Sequence, residues 1–402
     1  MVYQLPAVLI GGPPHTGKSV LLYNLTQALY ERGVRHHAIR ACPDGEGNWF
    51  QEGDPETVSL IRDTNKRQWS SEFIHKMSSD LQHRCLPFLV DMGGHPQMKE
   101  LPLFQQCTHA VLLLRADKPD STRTWQDMVT EANLLPLAHL YSYQDGPSTI
   151  TANTPFLEGR ITGLERQSRS VRENTVFIEL VDRIAALFSS YATQDIEQIF
   201  LNQAQTEIVL NLPAALRNYT TSIYWQPEML TPFLANVPKD TPLSVHGRAP
   251  NWLYAALVAH VGQQEFYQFD PKLSGWIQPL RVRIDAQPSS KITVEKRETR
   301  EATILSFSFP YGRLEYFQPD PLTFPPVPLE SGLIFDGPLP YWLLTALVRL
   351  YQHAGVAWIA PHHAQQNSVT QQKIAIVSYS RVETHAIGDL VTIPIGQNID
   401  KV

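Results

Sequence analysis

The 402-residue sequence predicts an α/β protein in three parts: a doubly wound parallel-sheet domain with a phosphate-binding loop, then two tandem copies of a smaller α/β module. Three observations carry that prediction. An apolar run, Val8-Leu9-Ile10, leads into GPPHTGKS (Gly12 to Ser19) and then into LLYNLTQALYERG, with leucines at helical spacing. Strand-like and helix-like stretches alternate through the front half, the pattern of a parallel sheet covered by helices. In the back half two stretches match without a gap at an offset of 90 residues: SVHGRAPNWLYAALVAHV…FYQFDPK (Ser244 to Lys272) and IFDGPLPYWLLTALVRLY…VAWIAPH (Ile334 to His362). A repeat is weighed first because it fixes the architecture. The expected boundaries are 1–195 for the sheet domain, 200–294 for the first copy and 300–402 for the second.

The front half opens on its strongest motif. Gly12 to Ser19 fits G-x-x-x-x-G-K-S, and strand, loop and helix in that order are the context of a P-loop NTPase. Gly12 and Gly17 let the backbone N–H groups, with those of His15 and Thr16, cradle the phosphates of ATP. Lys18 would reach the outer phosphates and Ser19 a magnesium ion. The strand PFLVDMGG holds Asp91, placed like a Walker-B carboxylate that binds magnesium through water. Gly93 and Gly94 resemble the Asp-x-Gly-Gly segment of kinase- and GTPase-like P-loop proteins. His37 to Arg40 and Ala110 to Arg115 read as further strands, and Glu72 to Gln82 as a helix. The segment ACPDGEGNWF follows a strand end, where ligands of such sheets gather. Asp44 and Glu46 there are candidates for magnesium or a second substrate as much as for a solvated loop. RADKPD (Arg115 to Asp120) sits where GTPases read the base but lacks their Asn, so guanine is not assigned. Arg123, Arg160 and Arg166 are candidate charge-stabilising arginines. A helix over Leu180 to Tyr191 closes the domain.

In the back half Gly247, Pro250, Trp252, Leu253, Ala256, Leu257, Val258 and Pro271 recur as Gly337, Pro340, Trp342, Leu343, Ala346, Leu347, Val348 and Pro361. Arg248, His260, Asp270 and Lys272 fall opposite Pro338, Leu350, Ala360 and His362, the look of one working copy and one structural partner. Gly247 lets the backbone approach a ligand, and Pro250 suits the first turn of the helix that begins around Asn251. That helix points free N–H groups and its positive end at whatever lies over the loop. Arg248 adds a fork of donors for phosphate oxygens. His260 is a candidate base or metal ligand. Asp270, closing the strand FYQFD, is a candidate to order a cation or orient that histidine. Together these residues suggest an anion-binding cleft with acid–base chemistry. EKRETRE (Glu295 to Glu301) reads as an exposed connector between copies, and Pro319 to Pro328 as an irregular loop.

Composition narrows the setting. A net charge of −6 and a pI near 6.2 argue against a general nucleic-acid coat but leave room for a compact phosphate ligand. Cys42, Cys85 and Cys107 lack metal-ligand spacing. With no signal peptide and no apolar run that could span a bilayer, the expected compartment is the reducing cytoplasm.

GRAPNWLYAALVAH followed by FYQFDPKLSGW resembles the ring-nuclease family associated with type III CRISPR systems, which carries Gly-Arg-x-Pro-x-Trp-Leu and a later Asp-Pro-basic. Nearly end to end, the chain resembles the longer form of that family, fused to an N-terminal P-loop (AAA-labelled) domain. The resemblance implies binding of cyclic oligoadenylates, the second messengers of those systems. It also implies their manganese-dependent cleavage, at a site shared between assembled subunits, to switch signalling off. Gly247, Arg248 and Asn251 would then hold ligand, while His260, Asp270 and Lys272 carry catalysis. A ring with several equivalent phosphates favours a symmetric homo-oligomer, at least a dimer. Two readings from other classes stay open: a P-loop kinase of a small molecule or nucleotide with the tandem module as scaffold, and a non-catalytic messenger receptor whose assembly ATP drives.

Overall fold

The computed structural model describes residues 5–43, 69–93, 95–165, 170–191, 193–222, 224–309, 314–318, 320–337, 339–363 and 373–393. Asp44, Glu46, Gly94, Arg166 and Pro338 lie outside them. The protein is mixed α/β and divides into two compact units. The first holds the described residues up to Phe200 together with Asp270–Gly275. The second holds those of Leu201–Phe269 and from Trp276 onward.

The first unit is built on a seven-stranded sheet of β1 (Ala7–Gly11), β2 (His37–Ala41), β3 (Phe88–Met92), β4 (His109–Leu114), β5 (Leu135–Ser142), β6 (Thr149–Ala152) and β7 (Leu157–Ile161), in the order β2-β3-β1-β4-β5-β7-β6. Every neighbouring pair is parallel except β6 with β7. AVLIG and most of FLVDM and HAVLLL are apolar because both faces of this sheet are covered. Alternate side chains serve the two faces. Val8 and Ile10 pack with α1 (Lys18–Glu31) and α4 (Thr175–Ser189), while Ala7 and Leu9 pack with α2 (Ser71–Gln82) and α3 (Pro119–Glu131). The closing helix thus starts five residues before the expected Leu180, capped by the Asn174 side chain on the Phe177 N–H.

Strands β8 (Ile208–Asn211), β9 (Leu243–His246), β10 (Phe266–Asp270) and β11 (Gly275–Ile277) form one sheet in the order β11-β10-β9-β8. A short parallel pair joins β12 (Val282–Ile284) to β15 (Leu322–Phe324). A larger sheet runs β13-β14-β16-β17-β18-β20, from β13 (Thr293–Glu298), β14 (Ala302–Ser308), β16 (Gly332–Asp336), β17 (Trp358–His363), β18 (Ile374–Ile376) and β20 (Leu390–Thr392), with β19 (Tyr379–Ser380) on β17. Each copy is a parallel strand–helix–strand unit: β9, α5 (Asn251–Val261), β10 and β16, α6 (Tyr341–Ala354), β17.

Two expectations are corrected here. EKRETRE is no plain connector, since Glu295–Glu298 lie in β13, paired antiparallel with β14. β13 is an edge strand, and charge is how exposed edges resist further pairing. The proline-rich 319–328 stretch contains β15, where buried Leu322, Thr323 and Phe324 between prolines suffice for a short parallel pairing.

The gap-free repeat is also corrected. Leu243 pairs with Phe266, but Leu333, 90 residues on, pairs with Ile359 rather than Val356. The reason lies in the helices: α5 has 11 residues and α6 has 14, and they end at C-cap glycines Gly262 and Gly355. The offset is therefore 90 before the helices and 93 after them. Counted this way, Asp270 corresponds to His363, Phe269 to His362 and His260 to His353, while Gln268, not Pro271, corresponds to Pro361. The second copy has not simply lost its reactive side chains.

The two copies face each other reciprocally. Asn251 Nδ2 donates to the Leu339 carbonyl at 3.5 Å, and Tyr341, its counterpart, donates from Oη to the Ala249 carbonyl at 2.5 Å. Tyr254 stacks on Tyr341 with ring centroids 4.1 Å apart, and Trp252 Nε1 donates to His363 Nδ1 at 3.2 Å. A contact in which residue i meets j and j meets i is the signature of a two-fold pair. Here both members belong to one chain.

Candidate functional site

In the first unit β1 ends at Gly11 and the chain turns through Gly12, His15 and Gly17, with φ of +141°, +64° and +86°. A Cβ on Gly12 would lie 1.9 Å from the Leu113 carbonyl oxygen, and one on Gly17 2.6 Å from Leu164 Cβ, so both positions require glycine. Such turns aim successive N–H groups into one anion-sized concavity. The Thr16 hydroxyl is engaged within the loop, donating to the Pro13 carbonyl at 2.9 Å, which leaves its N–H as the group that can face outward. Lys18 is buried and its Nζ donates to the Gly12 and Pro13 carbonyls at 2.7 and 2.8 Å.

Ser19 opens out of the first turn of α1 toward Asp91 on β3, and its Oγ donates to Oδ2 at 3.0 Å. Asp91 is fully buried, and a third residue shares it. Arg40 Nη1 donates to the same Oδ2 at 2.6 Å and to Ser19 Oγ at 3.1 Å. Arg40 and Asp91 are direct cross-strand neighbours of β2 and β3. Asp91 Oδ1 is buried with no hydrogen-bond partner among the described residues. Ser19, Arg40 and Asp91 thus meet at the carboxyl edge of the sheet, where the loop that engages Lys18 also ends. Arg40 was absent from the sequence reading because only strand register reveals it. Arg160 is not a candidate finger: its guanidinium lies 4.0 Å over the Tyr143 ring and donates to the Asp145 carbonyl. Arg115 is paired locally with Asp117. Cys42, Cys85 and Cys107 are buried and in no disulfide, and burial pushes the Cys85 and Cys107 thiols up to about 12, which keeps them protonated.

In the second unit Gly247 takes φ +103°, and a Cβ there would meet Pro213 Cδ at 2.3 Å. Its carbonyl accepts from Tyr254 Oη at 2.6 Å, which pins the loop to the first turns of α5. Arg248 is exposed. Pro250 is the N-cap, with no side-chain cap on the N–H groups that follow. Asn251, expected to hold ligand, directs its amide to the other copy's loop. His260 does not join Arg248. It sits in the last turn of α5, nine residues beyond Asn251 and therefore about 14 Å along the helix axis. Its Nε2 lies 2.8 Å from the Val237 carbonyl. Asp270 ends β10 and accepts the Lys272 N–H on Oδ1 at 2.8 Å, an Asx turn that orders the Asp-Pro-Lys segment.

A group that the sequence reading passed over lies in the second copy. Asp336, the last residue of β16, stands between His362 of β17 and Lys373: His362 Nδ1 is 3.5 Å from Oδ1 and Lys373 Nζ 3.4 Å from Oδ2. All three are mostly buried, with side-chain exposures of 15, 14 and 21% in that order. Next to them His363, receiving Trp252, has its pKa lowered to about 4, chiefly by burial and secondarily by His362, so it is a neutral packing residue. The signal was available, since Asp336 directly precedes Gly337 as His246 precedes Gly247. The repeat comparison asked only what the second copy lacked.

Residues 310–392 match the model of a family described as CRISPR-associated protein (Cas_csx3). No curated protein matches the chain. The match supports a CRISPR association and falls on the second copy, the one expected to be the structural partner. Among the described residues, no helix is long and apolar enough to cross a membrane.

Proposed function

We propose that this protein binds and cleaves cyclic oligoadenylate messengers of CRISPR antiviral defence, with ATP and magnesium bound in its first unit. The observation that carries the reading is the CRISPR-associated family match at residues 310–392, beside a first copy whose GRAPNWL loop turns at Gly247 with φ +103° just ahead of α5. Arg248 and the start of α5 would hold a ring phosphate, and the resemblance implies Asp270 and Lys272 as catalytic residues. His260, at the far end of its own helix, would reach such a loop only from another chain, so the reading includes assembly into at least a dimer. The experiment is incubation with labelled cyclic tetra- and hexa-adenylate, with and without ATP and manganese, resolved by chromatography. Rings recovered intact and unbound under every condition sink the proposal.

The first unit suits ATP and magnesium. Asp91 Oδ1, buried with no hydrogen-bond partner among the described residues, and the Ser19 hydroxyl would supply the protein's share of a magnesium shell that phosphates and water complete. Lys18 and the loop N–H groups would hold the phosphates; bound magnesium would supply charge neutralisation at the outer ones. Among the described residues no three His, Cys, Asp or Glu side chains are arranged to hold a metal ion.

A second reading, a kinase acting on a small molecule, draws on Arg40. A guanidinium beside the Walker-like Ser19 and Asp91 suits stabilisation of a transferring phosphoryl group. Label from ATP appearing on an acceptor, rather than as free phosphate, would favour it.

A further inference from the structure

From the reciprocal packing and the strand-end cluster, we infer that Asp336, His362 and Lys373 form an acid–base site in the second copy that acts on ligand held at the loops of this same chain. The inference rests on the proposed cyclic oligoadenylate reading and assigns its proton-transfer chemistry to residues outside the first copy. Three observations support it. His260 is separated from Arg248 by the length of α5, so within one chain the phosphate-holding loop lacks that base. The contacts of Asn251 with Leu339 and of Tyr341 with Ala249 bring the Gly247–Pro250 loop against its counterpart, which directly follows Asp336. The carboxylate lies between an imidazole and an ammonium, an arrangement that orients a histidine and balances charge rather than merely filling space.

The chemistry balances without a further reactant. With the Nδ1–H of His362 directed at Asp336, Nε2 carries the lone pair and takes the proton of a ribose 2′-hydroxyl. The freed oxygen attacks the adjacent phosphorus and the bond from phosphorus to the 5′-oxygen breaks. That oxygen leaves with a proton from the Lys373 ammonium or from water, giving a linear product with a 2′,3′-cyclic phosphate end. Asp336 is a positioning residue, because it acts through the histidine.

The test compares His362→Asn, Asp336→Asn and Lys373→Met in the full-length protein with the parent, measuring cleavage of labelled cyclic tetra- and hexa-adenylate beside their binding. General acid–base catalysis contributes about 10²–10⁴-fold, so His362→Asn should lose about 100-fold or more in cleavage rate while binding stays within about threefold. A His362→Gly protein should regain cleavage on addition of imidazole, which a structural role would not produce. Asp336→Asn should lower the rate and not the affinity, whereas Asp336→Glu should recover part of it. Unfolding curves establish that each variant is folded; should His362→Asn fail to fold, the imidazole response of His362→Gly or the Asp336 pair decides. Cleavage by folded His362→Asn at the parent rate overturns the inference alone. A parent that neither binds nor cleaves any ring overturns the reading beneath it, and the inference falls with it.

Discussion

Asp91→Asn separates what the first-unit site does for folding from what it would do for nucleotide chemistry. The carboxylate is fully buried, the Arg40 guanidinium is 11% exposed, and their contact is 2.6 Å. Removing one partner of such a pair strands the other charge and costs about 3–5 kcal/mol. For a unit of this size each kcal/mol is about 2–4 °C in Tm, so the variant should melt about 6–20 °C lower. The amide can still accept from Ser19, so that bond is not counted in the loss. Arg40→Met in the Asp91→Asn background removes the stranded charge and should recover much of the difference, a coupling read from a double-mutant cycle. The assay is thermal unfolding of the full-length protein followed by circular dichroism, beside nucleotide binding and phosphate release. Binding should remain measurable while hydrolysis slows by about 100-fold or more, since charge compensation matters most in the transition state. Melting within about 2 °C of the parent would refute the buried-pair argument. Unchanged hydrolysis in a folded variant would remove Asp91 from the chemistry.

Lys18→Ala should abolish ATP binding or turnover, because no other loop side chain places a positive charge there; undiminished turnover in a folded variant removes the P-loop assignment. If His260 serves the loop of another chain, Arg248→Ala and His260→Ala should each impair messenger cleavage and mixing the two inactive proteins should restore part of it, whereas the second-copy acid–base site predicts cleavage by His260→Ala at the parent rate. No recovery on mixing, with assembly demonstrated, sinks the shared-site reading. Burial raises the Glu100 pKa to about 7, with one oxygen accepting the Gln97 N–H. Its folded form therefore holds a proton that the unfolded chain releases at lower pH, so this contribution is present below about 4.5 and is lost as pH rises through about 7. Glu100→Gln should flatten that decline in unfolding free energy; an unchanged slope would show that other groups cause it.

Much of the first unit was legible because its strands are buried on both faces. AVLIG, FLVDM and HAVLLL carry no polar alternation to mislead, and the glycines of the loop are demanded by φ and by clash. Arg40 was not legible. It lies 51 positions from Asp91, and only the β2–β3 register makes them neighbours. The separation of Arg248 from His260 was in principle readable, since any helix starting near Pro250 carries His260 to its far end. It was missed because one motif was read as one cleft. The register change between copies was hidden because Pro271 and Pro361 agree by accident at an offset of 90, while the two capping glycines, which set where each strand begins, stand 93 apart.

The reciprocal contacts give the divergence of the copies a physical meaning. In a pair of identical chains, any residue placed at the two-fold appears on both sides, so a loop that gains a carboxylate for one role imposes it on the other. Fusing the two halves removes that constraint. The first copy keeps an exposed arginine beside its Gly247 loop, while the second carries no charge after Gly337 but places Asp336 ahead of it, backed by His362 and Lys373. The packing that makes the pair is carried by buried Trp252, Trp342 and the Tyr254–Tyr341 stack, none of which the chemistry requires. Of these only the tryptophans stand at matched positions; Tyr254 and Tyr341 stand opposite Leu344 and Asn251. On the proposed reading, the polar residues at the strand ends would differ because each copy has its own task to meet, a division of labour rather than decay.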